Sequence, residues 1–140
     1  KYMNPPTAKS KIIFNELYVD WDEDLILTEG VFDAIIAGKN SVPILGSSLR
    51  EHSRLFKSII RNDTPVYVAL DHDAEEKAAS LIENLIKYGA EVYKVDVTPY
   101  NDVGEMPKRE FLKMVDLESE QKIMTLIFDY QRCQFNMESR

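Results

Sequence analysis

The strongest constraint on the fold is a regular alternation of short apolar runs with helical stretches between Asp24 and Val97. Apolar runs of this kind are typical of strands that are buried on both faces of a parallel sheet. Such an order predicts an α/β domain with a mainly parallel four-stranded sheet, right-handed crossovers and flanking helices. The predicted strands are 24–28, 41–45, 66–70 and 91–97, and the predicted helices are 31–37, 49–60 and 74–88.

The sequence on either side of this alternation has a different character. Residues 1–20 begin with an extended arm around Pro5 and Pro6, because proline restricts the residue before it to extended backbone. After a loop at 98–104, helical stretches are predicted near 107–115 and 118–133. We therefore divide the chain into an arm (1–20), an α/β domain (21–106) and a helical C-terminal extension (107–140).

Composition places the chain among globular proteins. Its 140 residues suit one domain, and its 44% hydrophobic content provides a core. No apolar run approaches the roughly 18 residues that cross a bilayer, and no signal peptide opens the chain, so no membrane partner is predicted. The single cysteine, Cys133, excludes an internal disulfide and a cysteine-based zinc site and favours a cytoplasmic location. Because the sequence starts with lysine, we expect a fragment of a longer polypeptide.

The charge distribution leaves a nucleic-acid partner open. A net charge of −7 argues against phosphate contacts, which need lysine and arginine. The segment 12–38 contains no Lys or Arg, yet an acidic region can face phosphates when bound metal ions reverse the local sign. Its acidic residues are Glu16, Asp20, Asp22, Glu23, Asp24, Glu29 and Asp33.

Four carboxylates follow the predicted strands. Glu29 ends the first strand, Asp71 and Asp73 end the third, and Asp102 lies in the loop after the fourth. Ligands of open parallel sheets bind beyond the carboxyl ends of the strands, so these groups should converge on one edge. Asp71 and Asp73 are two apart in a segment predicted to be extended, so they should point the same way and share or bridge metals. Oxygen ligands of this kind predict a site for Mg²⁺ or Mn²⁺.

Simpler interpretations of the same residues stay open. Acidic residues at strand ends often only cap helices or form turns. His72 should point away from its flanking aspartates, and His52 should lie at the surface. The predicted helix 49–60 and its end carry a basic face that is either merely solvated or follows a nucleic-acid backbone. The residues of this face are Arg50, Arg54, Lys57 and Arg61.

Three segments together resemble the Toprim domain, which primases, topoisomerases, small nucleases and recombination mediators share. They are Leu-Thr-Glu-Gly-Val-Phe-Asp-Ala-Ile (27–35), Pro-Ile-Leu-Gly-Ser-Ser-Leu (43–49) and Val-Ala-Leu-Asp-His-Asp-Ala-Glu-Glu-Lys-Ala (68–78). The Glu-Gly-x-x-Asp form and Gly-Ser-Ser-Leu are similar to the primase branch. The opening Lys-Tyr-Met-Asn-Pro-Pro also resembles the end of the subdomain that precedes Toprim in bacterial and phage primases. The resemblance covers residues 1 to about 106.

The resemblance implies a role for each matching residue. Glu29, Asp71 and Asp73 would be catalytic metal ligands, with Asp102 a further ligand and Asp33 supporting them from behind. The resemblance implies nucleotide or template binding for Lys1 and Lys11, and Arg50 and Arg54 of the basic face are predicted to bind nucleotide or template with them. The chain departs from the family pattern at Gly104, where primases carry a carboxylate, with Glu105 one position further on. It also lacks the glycine that usually follows Asp-x-Asp-x-Ala.

The implied function is metal-dependent synthesis of RNA primers on a single-stranded DNA template. A 3′-hydroxyl would attack the α-phosphate of a ribonucleoside triphosphate, with Mg²⁺ or Mn²⁺ neutralising charge. The implied protein partner is a replicative helicase, fused or separate. The implied setting is the cytoplasm of a bacterial cell, and the motifs are closer to phage or plasmid primases than to bacterial chromosomal ones. Three alternatives remain: a Toprim nuclease, a non-catalytic Toprim interaction module, and an unrelated α/β domain whose acids are surface charge.

Overall fold

A computed structural model describes residues 8–38, 40–46 and 48–116. Its four strands form one all-parallel sheet in the order β2-β1-β3-β4. The predicted fold class, an α/β domain with a parallel four-stranded sheet flanked by helices, is confirmed, and this architecture is consistent with a Toprim-like fold. The predicted helix 118–133 and residues 1–7 of the arm lie outside the described residues. The strands are β1 (Leu25–Thr28), β2 (Ser41–Pro43), β3 (Val66–Ala69) and β4 (Val92–Lys94).

Four α-helices accompany the sheet in the described part of the chain. Short 3₁₀ turns at Lys9–Lys11, Glu16–Tyr18, His72–Ala74 and Val103–Glu105 connect the elements. None of the described helices has the length and apolar content needed to cross a membrane. The helices are α1 (Val31–Ala37), α2 (Arg54–Asn62), α3 (Glu75–Lys87) and α4 (108–116).

The sheet is buried on both faces, which explains why its strands are continuously apolar. Successive side chains of a strand point to opposite faces, so each strand supplies both layers. On β3, Val66 and Val68 join a core with residues of α2 and α3, whereas Tyr67 and Ala69 join a second core with Phe111 of α4. Helices α2 and α3 therefore cover one face of the sheet, and α1 and α4 cover the other.

The prediction that a helix begins at Leu49 is wrong, because α2 begins at Arg54. Ser53 is its N-cap, and the Ser53 hydroxyl accepts a 3.3 Å hydrogen bond from the backbone N–H of Phe56. Leu49 is nevertheless buried, so it packs into the core from the preceding loop. As a result, Arg50 lies outside α2, and the basic row on this helix is reduced to Arg54, Lys57 and Arg61.

The outer strands are shorter than predicted, although each keeps its place in the sheet. Strand β2 ends at Pro43, and Leu45 adopts a left-handed backbone (φ 56°) that breaks the extended conformation. Strand β4 ends at Lys94. The next residue, Val95, still donates a 2.9 Å backbone hydrogen bond to the carbonyl of Val68 on β3. Since all four strands run the same way, every strand-end loop emerges at one edge, which we call the carboxylate edge.

Candidate metal centre

Three aspartates from separate connections come together at the carboxylate edge. Asp33 lies in α1, Asp71 follows β3, and Asp102 lies in the loop after β4. Each offers one carboxylate oxygen, and these three oxygens lie within 4.8 Å of one another. All three residues are half-buried. We call this group the aspartate triad.

Local backbone structure positions each member of the aspartate triad. The Oδ2 atom of Asp33 accepts a 3.0 Å hydrogen bond from the backbone N–H of Gly30, the residue before α1. Asp71 directly precedes the 3₁₀ turn His72–Ala74. The Oδ1 atom of Asp102 accepts a 2.8 Å hydrogen bond from the N–H of Glu105. Each aspartate therefore stands at the start of a helical turn, where carboxylates are favourable.

Gly104 joins the two ends of the triad through its backbone. Its N–H donates a 3.0 Å hydrogen bond to Asp33 Oδ1. A β-carbon at this position would lie 2.9 Å from Asp33 Oδ1 and 3.1 Å from Asp102 Oδ1. The resemblance implies a carboxylate at position 104. Gly104 instead supplies a backbone N–H donor, and a side chain here would press on the carboxylates of Asp33 and Asp102. Glu105 turns away from the triad, since its Oε2 accepts a 2.8 Å bond from Asn101 Nδ2.

Glu29 lies beside the aspartate triad and is paired with a lysine. Its Oε1 is 2.8 Å from Lys77 Nζ, and both side chains are largely buried, at 34% and 21% exposure. The other oxygen of Glu29, Oε2, is buried without a hydrogen-bond partner in the described part of the chain, as is Asp71 Oδ1. An unpaired buried acceptor costs folding free energy, about 1 to 3 kcal/mol for a typical group. A cation at this edge would satisfy both atoms, and so would a proton on Asp71, whose pKa is raised by burial and also by a side-chain hydrogen bond with Glu29.

Several carboxyl groups lie close together at the carboxylate edge, and partial burial together with their proximity raises the pKa of two of them. Burial raises the pKa of Asp71 to about 7, and repulsion from Glu29, Asp33 and Asp102 adds to the effect. Burial also raises the pKa of Asp33, against the hydrogen bonds from Gly30 and Gly104 that stabilise its charged form. Perturbed carboxyl groups in one cluster are typical of functional sites, and a divalent cation relieves such repulsion.

The donor set and its spacing fit a divalent cation. Magnesium–oxygen distances of about 2.0 to 2.1 Å place ligands on opposite sides of an ion about 4.2 Å apart. Only one pair among three ligands can lie on opposite sides, and adjacent ligands lie about 2.9 Å apart, so the triad oxygens, now within 4.8 Å of one another, would move closer together to share one ion. Hydrogen bonds to Asp33 leave further lone pairs on its oxygens, because a carboxylate has about four acceptor sites. The aspartate triad can therefore hold a metal ion.

The residues expected at this edge divide into two groups. Asp71 and Asp102 lie in the aspartate triad, and Asp33, expected behind the ligands, stands among them. Asp73 does not belong to it, because the expectation of an extended segment is wrong: the chain turns into a 3₁₀ helix directly after Asp71, and Asp73 is exposed. His72 is exposed and lines a small depression together with Lys94 and Asp96 on the β4 side.

The expected nucleotide- or template-binding residues lie towards α2, away from the triad. Lys11 is exposed in the first 3₁₀ turn, and Arg50 is exposed in the loop before α2. Arg54 at the start of α2 forms a 2.8 Å ion pair with Glu16. Lys1 lies outside the described residues.

Sequence reasoning did not single out Lys77 as a partner of Glu29. One signal was present: Lys77 stands one helical turn before Leu81, at the border of the apolar stripe of α3, where a lysine is partly buried. Its partner is 48 positions away in the sequence. Only the folded sheet brings the two together.

A scan against protein-family models and a search of curated protein sequences found no match to this chain. The function therefore has to be argued from the residues, the fold and the geometry of the carboxylate edge.

Proposed function

We propose that this chain is the catalytic Toprim-type domain of a DNA primase, which uses Mg²⁺ or Mn²⁺ to join ribonucleotides on single-stranded DNA. The observation that supports metal chemistry is the aspartate triad, with an unpartnered buried oxygen on Asp71 and another on the adjoining Glu29. The motifs at 27–35, 43–49 and 68–78 support the choice of primase among metal-dependent enzymes. Template, ribonucleoside triphosphates and a replicative helicase are the proposed partners, and the cytoplasm the proposed location.

Asp33, Asp71 and Asp102 would hold the metal, which supplies charge neutralisation at the triphosphate and a lower pKa for the attacking hydroxyl. The chain's own contribution is positioning. Backbone N–H groups of Gly30 and Gly104 fix both oxygens of Asp33. Sites held in this way lose little entropy when the ligand arrives, which is how enzymes of this type gain rate.

Glu29 and Lys77 have a second, supporting role in this proposal. The ion pair holds Oε1 of Glu29 away from the triad and leaves Oε2 unpartnered at the edge. Glu29 is thus in a position to bind the ion through its free oxygen or through one of the ion's water molecules, as magnesium usually keeps several waters. Asp73 is exposed in the turn after Asp71, and in this proposal it would contact the water shell of the ion rather than the bare metal.

Calorimetric titration with Mn²⁺ tests the metal centre. We expect saturable binding by the parent chain and none by an Asp71→Asn/Asp102→Asn variant that remains folded by circular dichroism. Asp22→Asn/Asp24→Asn is the matched control, since it removes two exposed carboxylates elsewhere and should bind as the parent does. An Asp73→Asn variant should retain binding with at most a few-fold loss. Absence of binding by the folded parent would contradict the metal centre.

A primer-synthesis assay tests the choice of reaction. The chain is incubated with Mn²⁺, ribonucleoside triphosphates and end-labelled single-stranded DNA. Template-dependent RNA products that disappear in the Asp71→Asn/Asp102→Asn variant would support the proposal. Shortened DNA without RNA synthesis would replace it with a nuclease. Metal binding with neither product would replace it with a non-catalytic module.

A further inference from the structure

A groove lined by basic side chains runs along α2, and nothing in the metal centre accounts for it. The cavity measures about 410 Å³. We call it the basic groove. It is lined by Ser10, Lys11, His52, Arg54, Lys57 and Arg61.

The cations of the basic groove are largely free to bind an external anion. Lys11, Lys57 and Arg61 are exposed, and within the described ranges no carboxylate lies within 4.0 Å of their charged nitrogens. Arg54 shares its charge with Glu16 at 2.8 Å. In a chain with a net charge of −7, this concentration of positive charge attracts polyanions locally even though the whole molecule repels them.

The basic groove continues towards the carboxylate edge. A neighbouring cavity of about 330 Å³ shares Ser10 and His52 with the groove and follows the loop after β2. A third, of about 400 Å³, shares Ile44 and Leu49 with the second and reaches Lys77. The three depressions thus share lining residues in sequence from the surface of α2 to Lys77, the residue that contacts Glu29 beside the metal centre.

An aromatic side chain stands exposed beside the groove. Tyr18 is 79% exposed in the 3₁₀ turn Glu16–Tyr18, and the ion pair of Glu16 with Arg54 ties this turn to α2. A positively charged groove combined with exposed aromatic rings is how proteins bind single-stranded nucleic acid, because the charges follow the backbone and the rings stack on bases. A duplex would not offer its bases to Tyr18.

We propose that the basic groove binds the phosphate backbone of a single-stranded nucleic acid and leads it along the loop after β2 to the carboxylate edge. Arg54, Lys57 and Arg61 would contact successive phosphates, since they advance about 4.5 and 6 Å along the helix axis. That this strand is the template of the metal centre rests on the proposed function. Binding by the groove itself does not require the metal.

Fluorescence anisotropy with a labelled mixed-sequence oligodeoxynucleotide, in EDTA, tests the groove without metal chemistry. The test variant is Lys57→Gln/Arg61→Gln. Its matched control is Arg109→Gln/Lys113→Gln on α4, on the opposite face of the sheet, which removes one lysine and one arginine of the same spacing and exposure. We expect about tenfold weaker binding for the test variant. The slope of log affinity against log salt should fall by about 1.4, or about 0.7 for each lost phosphate contact.

The control variant should bind as the parent does. Equal losses in the two variants, or no loss in either, would overturn the groove as the binding site. A Tyr18→Ala variant should lose roughly fivefold in affinity if the ring stacks on a base. Unlabelled duplex or polyglutamate that competes as well as the unlabelled single strand would overturn the choice of ligand.

Binding by the Asp71→Asn/Asp102→Asn variant separates this inference from the proposed function. Removing two negative charges from the carboxylate edge should leave the oligonucleotide affinity unchanged or raise it. A groove that binds DNA in a chain that binds no Mn²⁺ would contradict the metal centre alone. Mn²⁺ binding without groove-dependent DNA binding would contradict the groove alone.

Discussion

The carboxylate edge and the basic groove are both charged surfaces, but they are built in opposite ways. At the edge, short aspartate side chains are half-buried and held by backbone N–H groups and by the close approach of Gly104. In the groove, long side chains of α2 extend into solvent, and among the described residues Arg54 alone of its row is fixed by an ion pair. The edge is preorganised for a small ion, whereas the groove can adapt to a flexible chain.

This difference determines where each region costs free energy. Like charges that are partly removed from water destabilise the folded chain until a cation arrives. Solvated cations cost little, because water and salt screen them. Substitutions at the edge should therefore change the stability of the fold, and substitutions in the groove should change binding alone.

The largest stability effect is expected for Lys77→Met, which keeps side-chain bulk and removes the charge. It leaves Glu29 largely buried without its cation and beside Asp71, so the free energy of unfolding should fall by about 2 kcal/mol. The matched control is Lys94→Met, whose ion pair with Glu75 is exposed and should contribute less than about 0.5 kcal/mol. Urea denaturation measures the free energy of unfolding of both variants. Equal losses would show that the Glu29–Lys77 pair is as well solvated as an ion pair on the surface.

Gly104→Ala should come next in size. Its β-carbon would press on Asp33 Oδ1 at 2.9 Å and weaken the backbone hydrogen bond to that oxygen. Overpacking of this kind costs about 1 to 3 kcal/mol, and Mn²⁺ affinity should fall at least tenfold as Asp33 moves. Gly46→Ala is the control, because its nearest contact would be 3.9 Å away on a lysine side chain. If Gly104→Ala binds Mn²⁺ like the parent, the close approach is irrelevant to the site.

A smaller effect is expected from the titration of Asp71: linkage gives at most about 4 kcal/mol for its shift, and screening by water at this half-buried group reduces it to about 1 kcal/mol. Its pKa in the folded chain is raised from 3.8 to about 7, so between these values the folded chain holds a proton that the unfolded chain has lost. The free energy of unfolding should therefore decline as pH rises from about 4 to about 7. Asp71→Asn should lack this part of the decline and be more stable than the parent at pH 8.

The pKa of Asp96 is lowered, whereas that of Asp71 is raised, so the two residues should affect the pH dependence of stability in opposite directions. Hydrogen bonds from the backbone N–H and hydroxyl of Thr98 lower the pKa of Asp96, so its contribution to stability is present at neutral pH and lost as pH falls through the lowered pKa. Asp96→Asn should lower stability at pH 8, whereas Asp71→Asn should raise it. Urea denaturation across pH 4 to 8 gives both signs, and the same sign for both would contradict the assignment.

The fold was predictable because the central strands β1 and β3 are buried on both faces and the helices carry their own periodicity. Those signals lie within a few residues of one another, as in Val66–Ala69. The start of α2 was missed because an apolar residue such as Leu49 can be buried either from a helix or from a loop, so its apolar character does not identify the helix start. Only the cap at Ser53 distinguishes the two cases, and serine is common in both settings.

The site was predictable only where a strand end places the residue directly, as at Asp71. Membership of Asp33 in the triad depends on the backbone of Gly104, 71 positions away, and no local pattern encodes that contact. Asp73 was misplaced because the chain turns immediately after β3, which reverses the inference drawn from extended geometry. Contacts between distant loops are therefore the part of the site that sequence periodicity does not supply.

The smallest stability effect should come from the basic groove, and it completes the comparison. Lys57→Gln/Arg61→Gln removes two exposed cations with no ion pair in the described part of the chain, so the free energy of unfolding should change by less than about 0.5 kcal/mol. Urea denaturation, with Arg109→Gln/Lys113→Gln as control, measures the change. A loss above 1 kcal/mol would mean that these side chains support the fold, and any weakening of oligonucleotide binding would then reflect unfolding instead of lost phosphate contacts.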